Sequence, residues 1–239
     1  ASTLYDKNRN LNDAKRAFTS AAAHELKTPL ASMKILSESL LTQPDVPIEL
    51  YKEFMGDINS EVDRLSLVIN DLLTLVKTDR GMDTLVIGDV ELGEIIKHII
   101  GTVSPLARNK RITLSYEYVD VSLKGDELRL NQVFTNIIDN AIKYSPENTT
   151  VTINLTQNLS NAIVMVSDQG IGISHEDLTR IFERFYRVDK SHSREIGGTG
   201  LGLAIAKNVV LMHKGIIEIS SVVDEGTTIT VRIPLNYIV

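Results

Sequence analysis

The sequence predicts two folds in one chain: an all-α helical hairpin, doubled by a second copy into a four-helix bundle, followed by an α+β sandwich. Three observations predict this. Apolar residues over the first eighty positions recur at spacings of four and three, with glycine there only at Gly56 and proline only at Pro29, Pro44 and Pro47. Past Asp79-Arg80-Gly81-Met82-Asp83 the period changes, and helical stretches mix with alternating β-branched ones. The length of 239 residues suits one large domain or two small ones, and either option buries a core.

The first helix, about residues 10–42, carries a stripe of Ala22, Leu26, Leu30, Met33, Leu36 (or Ile35) and Leu40. Gln43-Pro44-Asp45-Val46-Pro47 cannot continue it. The second helix, about residues 48–79, carries Leu50, Phe54, Ile58, Val62, Leu65, Ile69, Leu72 and Val76. The last six alternate strictly by four and three, which is a heptad seam. Each helix is roughly 45–50 Å long at ~1.5 Å per residue. Two such helices cannot cover a continuous apolar stripe by themselves, so a homodimer is expected. The boundaries read as a hairpin domain at 1–80, a linker at 81–87 and a second domain at 88–239.

In the second domain, Thr84–Val90 and Arg111–Val119 read as strands, and Glu91–Leu106 and Asp126–Tyr144 as helices. Thr150–Gln157 and Asn161–Ser167 form a hairpin around Asn158–Asn161. Gly200–Met212 reads as a helix. Gly215–Val222 and Thr227–Pro234 form a second hairpin around Asp224-Glu225-Gly226. Helices packed on one sheet give the α+β class.

Composition removes several functions. Apolar residues are 43% of the chain and mean hydropathy is +0.00, which excludes a mainly disordered protein. No apolar run approaches the ~20 residues of a membrane helix, so the chain as given is expected to be soluble. The lack of cysteine excludes disulfides, thiol catalysis and thiolate zinc sites. A net charge of −6 argues against nucleic acid as a partner. Aromatics at 5% and the lack of Trp argue against a base-stacking surface. The chain starts Ala-Ser and carries no signal peptide, so a processed or cloned fragment is expected.

Residues 18–40 read FTSAAAHELKTPLASMKILSESL. His24 is two residues from Ala22 and from Leu26, roughly 200° around the helix from each, and so points away from the seam. Thr28 lies one turn on, and Glu25 is adjacent. An exposed imidazole is a competent nucleophile, and a neighbouring carboxylate accepts or orients its proton. Pro29 withholds a hydrogen bond from the Glu25 carbonyl, so a bend or a looser turn is expected there. The zinc motif HExxH is excluded because Thr28 stands where the second His belongs.

The second domain carries more specific patterns. Asn136, Asn140 and Lys143 share one face of a helix whose other face, with Val133, Ile137 and Ile138, is apolar. Amide oxygens ligate Mg²⁺ and a Lys ammonium holds phosphate. Ser167-Asp168-Gln169-Gly170-Ile171-Gly172-Ile173 follows a strand, and its glycines allow a tight turn and close approach to a ligand. Asp168 at that strand end suits an exocyclic amino group such as that of adenine. Gly197-Gly198-Thr199-Gly200-Leu201-Gly202-Leu203 opens a helix, where backbone amides make an anion site. It follows no strand, which excludes a Rossmann reading, and no P-loop or Ser/Thr-kinase motif set exists. Between the glycine turns, Phe182 and Phe185 are packing anchors, Arg187 follows them, and the polar Val188–Ile196 suits a lid.

In this order the motifs resemble the catalytic core of bacterial sensor histidine kinases, over about Phe18 to Pro234. Residues 18–40 look like that family's phospho-acceptor box, Asn136 to Tyr144 its N box, and Asp168–Gly172 its first glycine box. Phe182–Arg187 looks like its F box, and Gly198–Gly202 like its second glycine box. The resemblance implies a Bergerat-type ATP-binding fold for the second domain, shared with gyrase, MutL and the large heat-shock chaperones. It implies that His24 takes the γ-phosphoryl group of ATP, with Glu25 holding the imidazole proton. Asn140, with Asn136 nearby, would hold Mg²⁺. Lys143 and Arg187 would contact phosphates, Tyr144 would line the pocket, and Asp168 would read the adenine amino group. Gly170, Gly172, Gly198, Gly200 and Gly202 would close the backbone around the nucleotide. Gln169 departs from the family, where Asn is common.

The implied partners are a second copy of the chain and the receiver domain of a response regulator. That regulator would dock on the face running from His24 through Thr28 and Ser32. Thr28 resembles the position that orients water in members that dephosphorylate their partner. Leu4–Lys15 would be the tail of a signalling helix, and the setting a cytoplasmic one, attached to a membrane only through upstream regions. Two other readings share parts of this pattern. A different ATPase of the same fold predicts ATP turnover that survives loss of His24. A non-enzymatic dimeric scaffold predicts missing Asn or glycine positions, yet Asn140, Asp168 and both glycine boxes are present.

Overall fold

The computed structural model describes residues 2–43, 45–79, 84–188 and 198–237, with side chains from Arg16 onward in the first helix and through Val76 in the second. The chain divides into two compact units, Ala1–Lys77 and Thr78–Val239. The expected lid falls outside the described residues except at Val188, as do Gly197, Pro44 of the first turn and residues 81–83 of the linker.

The first unit is the helical hairpin. Helix α1 spans Ser2–Thr42 and α2 spans Ile48–Asp79. Pro29 lies inside α1 and is buried, and the helix runs through it to Thr42. The apolar pattern of α2 is wider than the seam read from spacing. Among its described side chains the fully buried ones are Val68 and Leu75, which lie off that seam. Three seam residues, Val62, Ile69 and Val76, are exposed, and so is Leu30 of the α1 stripe. Two neighbouring faces of α2 are thus apolar, and a single chain covers only one. Ile48, Met55, Val62, Ile69 and Val76 repeat every seven residues and are all 37–58% exposed.

The second unit is a two-layer α+β sandwich. A five-stranded sheet runs in the order β2 (Thr113–Tyr118), β4 (Thr150–Gln157), β5 (Asn161–Asp168), β7 (Gly226–Pro234), β6 (Ile216–Val222). β2 and β4 are parallel and the other pairs antiparallel. Alternate residues of the central strands face inward: Val151, Ile153 and Leu155, Ala162, Val164 and Val166, Ile229, Val231 and Ile233 are all buried. Helices α3 (Leu92–Asn109), α4 (Glu127–Tyr144) and α6 (Gly202–Met212) pack side by side and against the sheet. A short helix, α5 (His175–Leu178), follows the first glycine turn. Both expected hairpins are present.

Several elements differ from expectation: α1 begins at Ser2 rather than near residue 10, and the short α5 was not indicated by spacing. The strand read at Thr84–Val90 is only β1, Gly88–Glu91, paired with a short β3, Ser122–Gly125, that spacing did not indicate. Residues 84–87 carry no ladder, because the Val86 N–H donates instead to Oδ2 of Asp126 (2.8 Å). Asp126 is a junction. Its Oδ1 caps α4 by accepting from the Arg129 N–H (3.0 Å), and its own N–H donates to Nε2 of buried His213 (3.0 Å). Nδ1 of His213 lies 2.8 Å from the Val209 carbonyl, so this ring is the neutral Nδ1–H tautomer.

Burial lowers the pKa of His213 from 6.5, against the opposing pull of the Val209 bond and the Asp126 charge. The unfolded chain therefore takes up this proton more readily than the fold does, and stability is lost as pH falls through 6.5 toward the depressed value. Urea unfolding of the second unit between pH 7.5 and 5.5 will show this loss. His213→Leu will remove most of the slope and cost ~1–3 kcal/mol at pH 7.5 by leaving the Asp126 N–H without an acceptor.

Candidate functional site

His24 projects from α1 into solvent, as its rotation away from the seam requires. The Thr28 hydroxyl donates to the His24 carbonyl one turn back (3.1 Å), leaving the oxygen lone pairs as acceptors. Glu25 is half-buried and pairs with Arg64 of α2 (3.7 Å), which also pairs with Glu61 (3.9 Å). Arg64 was not singled out by sequence reasoning, because an i, i+3 charge pair on a helix reads as an ordinary solvated face. The pairing turns the Glu25 carboxylate toward α2.

In the second unit the site is built where α4, the end of β5 and the start of α6 come together. The apolar face of α4 is fully buried through Leu130, Val133, Phe134, Ile137 and Ile138. This turns Asn136, Asn140, Lys143 and Tyr144 to the half-buried side. Asn136 Nδ2 donates to the Gly202 carbonyl (3.1 Å), tying α4 to the first turn of α6 and keeping its amide oxygen for other partners. Lys143 pairs with Asp139 one turn back (2.7 Å). Asn140 presents an amide oxygen of the kind that Mg²⁺ takes.

Asp168 ends β5 with its carboxylate half-buried. Oδ1 accepts from the Gly170 N–H (2.8 Å) and from the Thr227 N–H (3.1 Å). Burial nevertheless pushes its pKa up, with those two bonds opposing the shift. Gln169 turns away, and its Oε1 accepts from the Thr150 N–H (2.8 Å), so this departure from the family braces β4.

The glycines differ in how strictly the backbone needs them. A Cβ at Gly170 would lie 2.7 Å from both Asp168 Oδ1 and the Tyr144 carbonyl. Gly172 has φ +67°, and a Cβ there would collide with the Val222 carbonyl. Gly200 has φ +68° and lies against Phe185, whose N–H donates to its carbonyl (2.9 Å). At Gly202 a Cβ would lie 3.4 Å from Asn136, and at Gly198 it would meet nothing within 4 Å.

The F-box segment is braced rather than loose. Phe185 has φ +61°. Phe182 is half-buried with the Lys207 ammonium 5.0 Å over its ring. The Tyr186 hydroxyl donates to Asp177 (2.5 Å), and Arg180 stacks 4.1 Å over the Tyr186 ring. Arg187 lies at the end of this segment, half-buried. Sequence reasoning missed Gly226 and Thr227. Gly226 has φ +126° and its missing Cβ makes room for the Asp168 carbonyl. Thr227 is buried and joins Ser221 (2.8 Å), whose oxygen also accepts from the Ile173 N–H (2.8 Å). Asp224-Glu225-Gly226 signals a hairpin, and nothing in that signal says the hairpin lands on Asp168.

The half-buried amides, the glycine turns and the Asp168 carboxylate all lie within residues 125–237, which match the family described as "Histidine kinase-, DNA gyrase B-, and HSP90-like ATPase" and so define an ATPase class of fold. Residues 14–81 match the "His Kinase A (phospho-acceptor) domain". The chain is 36% identical over 221 residues to the sensor-like histidine kinase SenX3 of Mycolicibacterium smegmatis, covering 92% of this chain and 57% of that protein. It is 35% identical over 226 residues to the sensor protein kinase WalK of Staphylococcus aureus, covering 94% of this chain and 54% of that protein. Among solved structures, the mycobacterial sensor histidine kinase MprB is 30% identical with a TM-score of 0.54, over 64% of this chain and all of that one. The histidine kinase AdeS of Acinetobacter baumannii shares the fold with a TM-score of 0.71 at 24% identity, over 89% of this chain and 98% of that one. This chain belongs to the sensor histidine kinases. It spans little more than half the length of the curated relatives SenX3 and WalK.

The glycine geometry predicts a graded response. Gly172→Ala will destabilise the second unit by ~1–3 kcal/mol from its positive φ alone, and by more from the collision with Val222. Gly198→Ala, in open space, will unfold within ~0.5 kcal/mol of the parent. Urea denaturation of the two variants checks the contrast.

Proposed function

We propose that this chain is the kinase core of a two-component sensor: it phosphorylates His24 from Mg-ATP and passes the phosphoryl group to an aspartate on a response regulator's receiver domain. The observation that carries the reading is an exposed histidine flanked in sequence by Glu25 and Thr28, on the same chain as an ATPase-family unit whose first glycine turn is tied to the Asp168 carboxylate. The residues fit a nucleotide. Asp168 takes the adenine amino group, Tyr144 lines the pocket, and Lys143 and Arg187 meet the phosphates. Gly170, Gly172, Gly198, Gly200 and Gly202 bring backbone amides close. Asn140, with Asn136 one turn away on the same helix, would hold Mg²⁺ by its amide oxygen. The metal, when bound, neutralises charge on the phosphates.

In the transfer, a lone pair of a His24 ring nitrogen forms the N–P bond to the γ-phosphorus. The bond from that phosphorus to the bridging oxygen breaks, and ADP leaves with the electron pair. Glu25 accepts the proton that the imidazolium releases, with Arg64 holding its carboxylate in place (3.7 Å). Orientation and charge neutralisation supply most of the rate. The chain works as a homodimer in which the exposed heptad row of α2 and Leu30 of α1 become the bundle core. The regulator docks on the face through His24, Thr28 and Ser32. Thr28 also orients water for dephosphorylating it, since its oxygen still accepts a hydrogen bond. No described helix is long and apolar enough to cross a membrane. We place the core in the cytoplasm, as part of a membrane-anchored sensor.

Incubation with γ-labelled Mg-ATP tests this. Acid-labile, base-stable label is expected on the parent chain and none on His24→Ala. Label on both proteins, or ATP turnover equal in both without label, contradicts the reading. With a phosphorylated cognate regulator, Thr28→Ala is expected to lose at least tenfold in dephosphorylation while keeping autophosphorylation. Full dephosphorylation by a folded Thr28→Ala protein overturns that role.

A further inference from the structure

Lys110 lies outside every motif of the site, at the C-terminal end of α3. Its ammonium donates to three carbonyls at the end of α4: Ile142 (3.0 Å), Lys143 (2.7 Å) and Ser145 (3.1 Å). The last carbonyls of a helix have no partner within it, and a cation there also meets the negative end of the helix dipole. α4 has no glycine at its end, and Ser145 leaves the helix in an extended conformation. Lys110 therefore supplies the cap from another element.

Its own backbone is fixed. The Lys110 N–H donates to Leu106 (3.1 Å), and the next turn is cross-linked to the turn after α4. There, Asn148 N–H donates to the Arg111 carbonyl (3.1 Å), Thr113 N–H to Thr149 (2.9 Å), and Arg111 pairs with Glu147 (3.1 Å). Partial burial lowers the Lys110 pKa, against the pull of Glu147. The group is thus partly desolvated, as a cap that excludes water should be.

The capped turn carries Lys143 and Tyr144. The Tyr144 carbonyl, which Lys110 does not take, accepts the Ile171 N–H of the first glycine turn (3.4 Å). It also sits where a Gly170 Cβ would lie at 2.7 Å, so helix end and glycine turn fit without slack. We infer that Lys110 is a positioning residue for nucleotide binding: its three hydrogen bonds hold the last turn of α4 so that Lys143, Tyr144 and the first glycine turn keep one geometry. The inference rests on the nucleotide-binding reading proposed above.

Calorimetric titration of the full chain with Mg-ADP tests it, comparing the parent, Lys110→Met and Lys110→Arg. Lys110→Met is expected to weaken Kd about tenfold with the stoichiometry unchanged, and Lys110→Arg to return Kd to within about threefold of the parent. A purely structural role would lower the stoichiometry as chains unfold and leave Kd alone. Hydrogen exchange at the Ile171 amide, measured without nucleotide, should quicken in Lys110→Met and not in Lys110→Arg. An unchanged Kd in Lys110→Met, or equal weakening in Lys110→Arg, overturns the inference. If the parent itself fails to bind Mg-ADP, the nucleotide reading falls, and unaltered Ile171 exchange in Lys110→Met then overturns the inference on its own.

Discussion

The geometry of the second unit turns on one carboxylate. Asp168 closes β5 and accepts backbone N–H groups from two directions, Gly170 in the turn that follows and Thr227 at the start of β7. That double acceptance fixes the glycine turn against the sheet. It also explains why Gly226, which touches the Asp168 backbone, has no room for a side chain. From there the constraint spreads: Gly172 seats against Val222, and Ser221 holds the Ile173 N–H. The carboxyl remains harder to ionise than an ordinary Asp in spite of its two hydrogen bonds.

The helix facing that turn is clamped at both ends. Asp126 and His213 secure the start of α4 and join it to α6 and to the chain entering the unit. Lys110 secures its end. Between them, a fully buried apolar face leaves the amide face no freedom to rotate. The hairpin unit follows the opposite logic. Its His24 is exposed, its Glu25 is paired, and a heptad row of apolar residues stands in water. Such a row marks a surface built to be covered.

Much of this was legible in the residues. Periodicity located both hairpin helices, and β-branched alternation bounded β4 at Thr150–Gln157. The spacing of Asn136, Asn140 and Lys143 did predict a shared face. What stayed hidden has common physical causes. Contacts between residues far apart in sequence leave no local signature: Thr227 meets Asp168 across 59 positions, and Lys110 meets Lys143 across 33. β1 and β3 are four residues each, too short for a period to show. On α2 the spacing revealed that apolar stripes exist, not which of two neighbouring faces the single chain buries. Gly198 and Gly172 look alike as letters and differ entirely in the space around them.

Asp168, half-buried at the end of β5 and holding two N–H groups with one oxygen, is the acid on which the proposed nucleotide site depends. Because its pKa in the fold lies above the ordinary 3.8, ionising it costs stability, and that cost is present at pH 7. Thermal unfolding of Asp168→Asn at pH 7, with and without Mg-ADP, tests this most directly. Asn keeps an oxygen for the Gly170 and Thr227 N–H groups and removes the charge. A higher Tm than the parent is expected without nucleotide, with no further rise when Mg-ADP is added. A lower Tm in the empty variant, or a rise with Mg-ADP equal to the parent's, would show that Asp168 serves the fold and not a nucleotide.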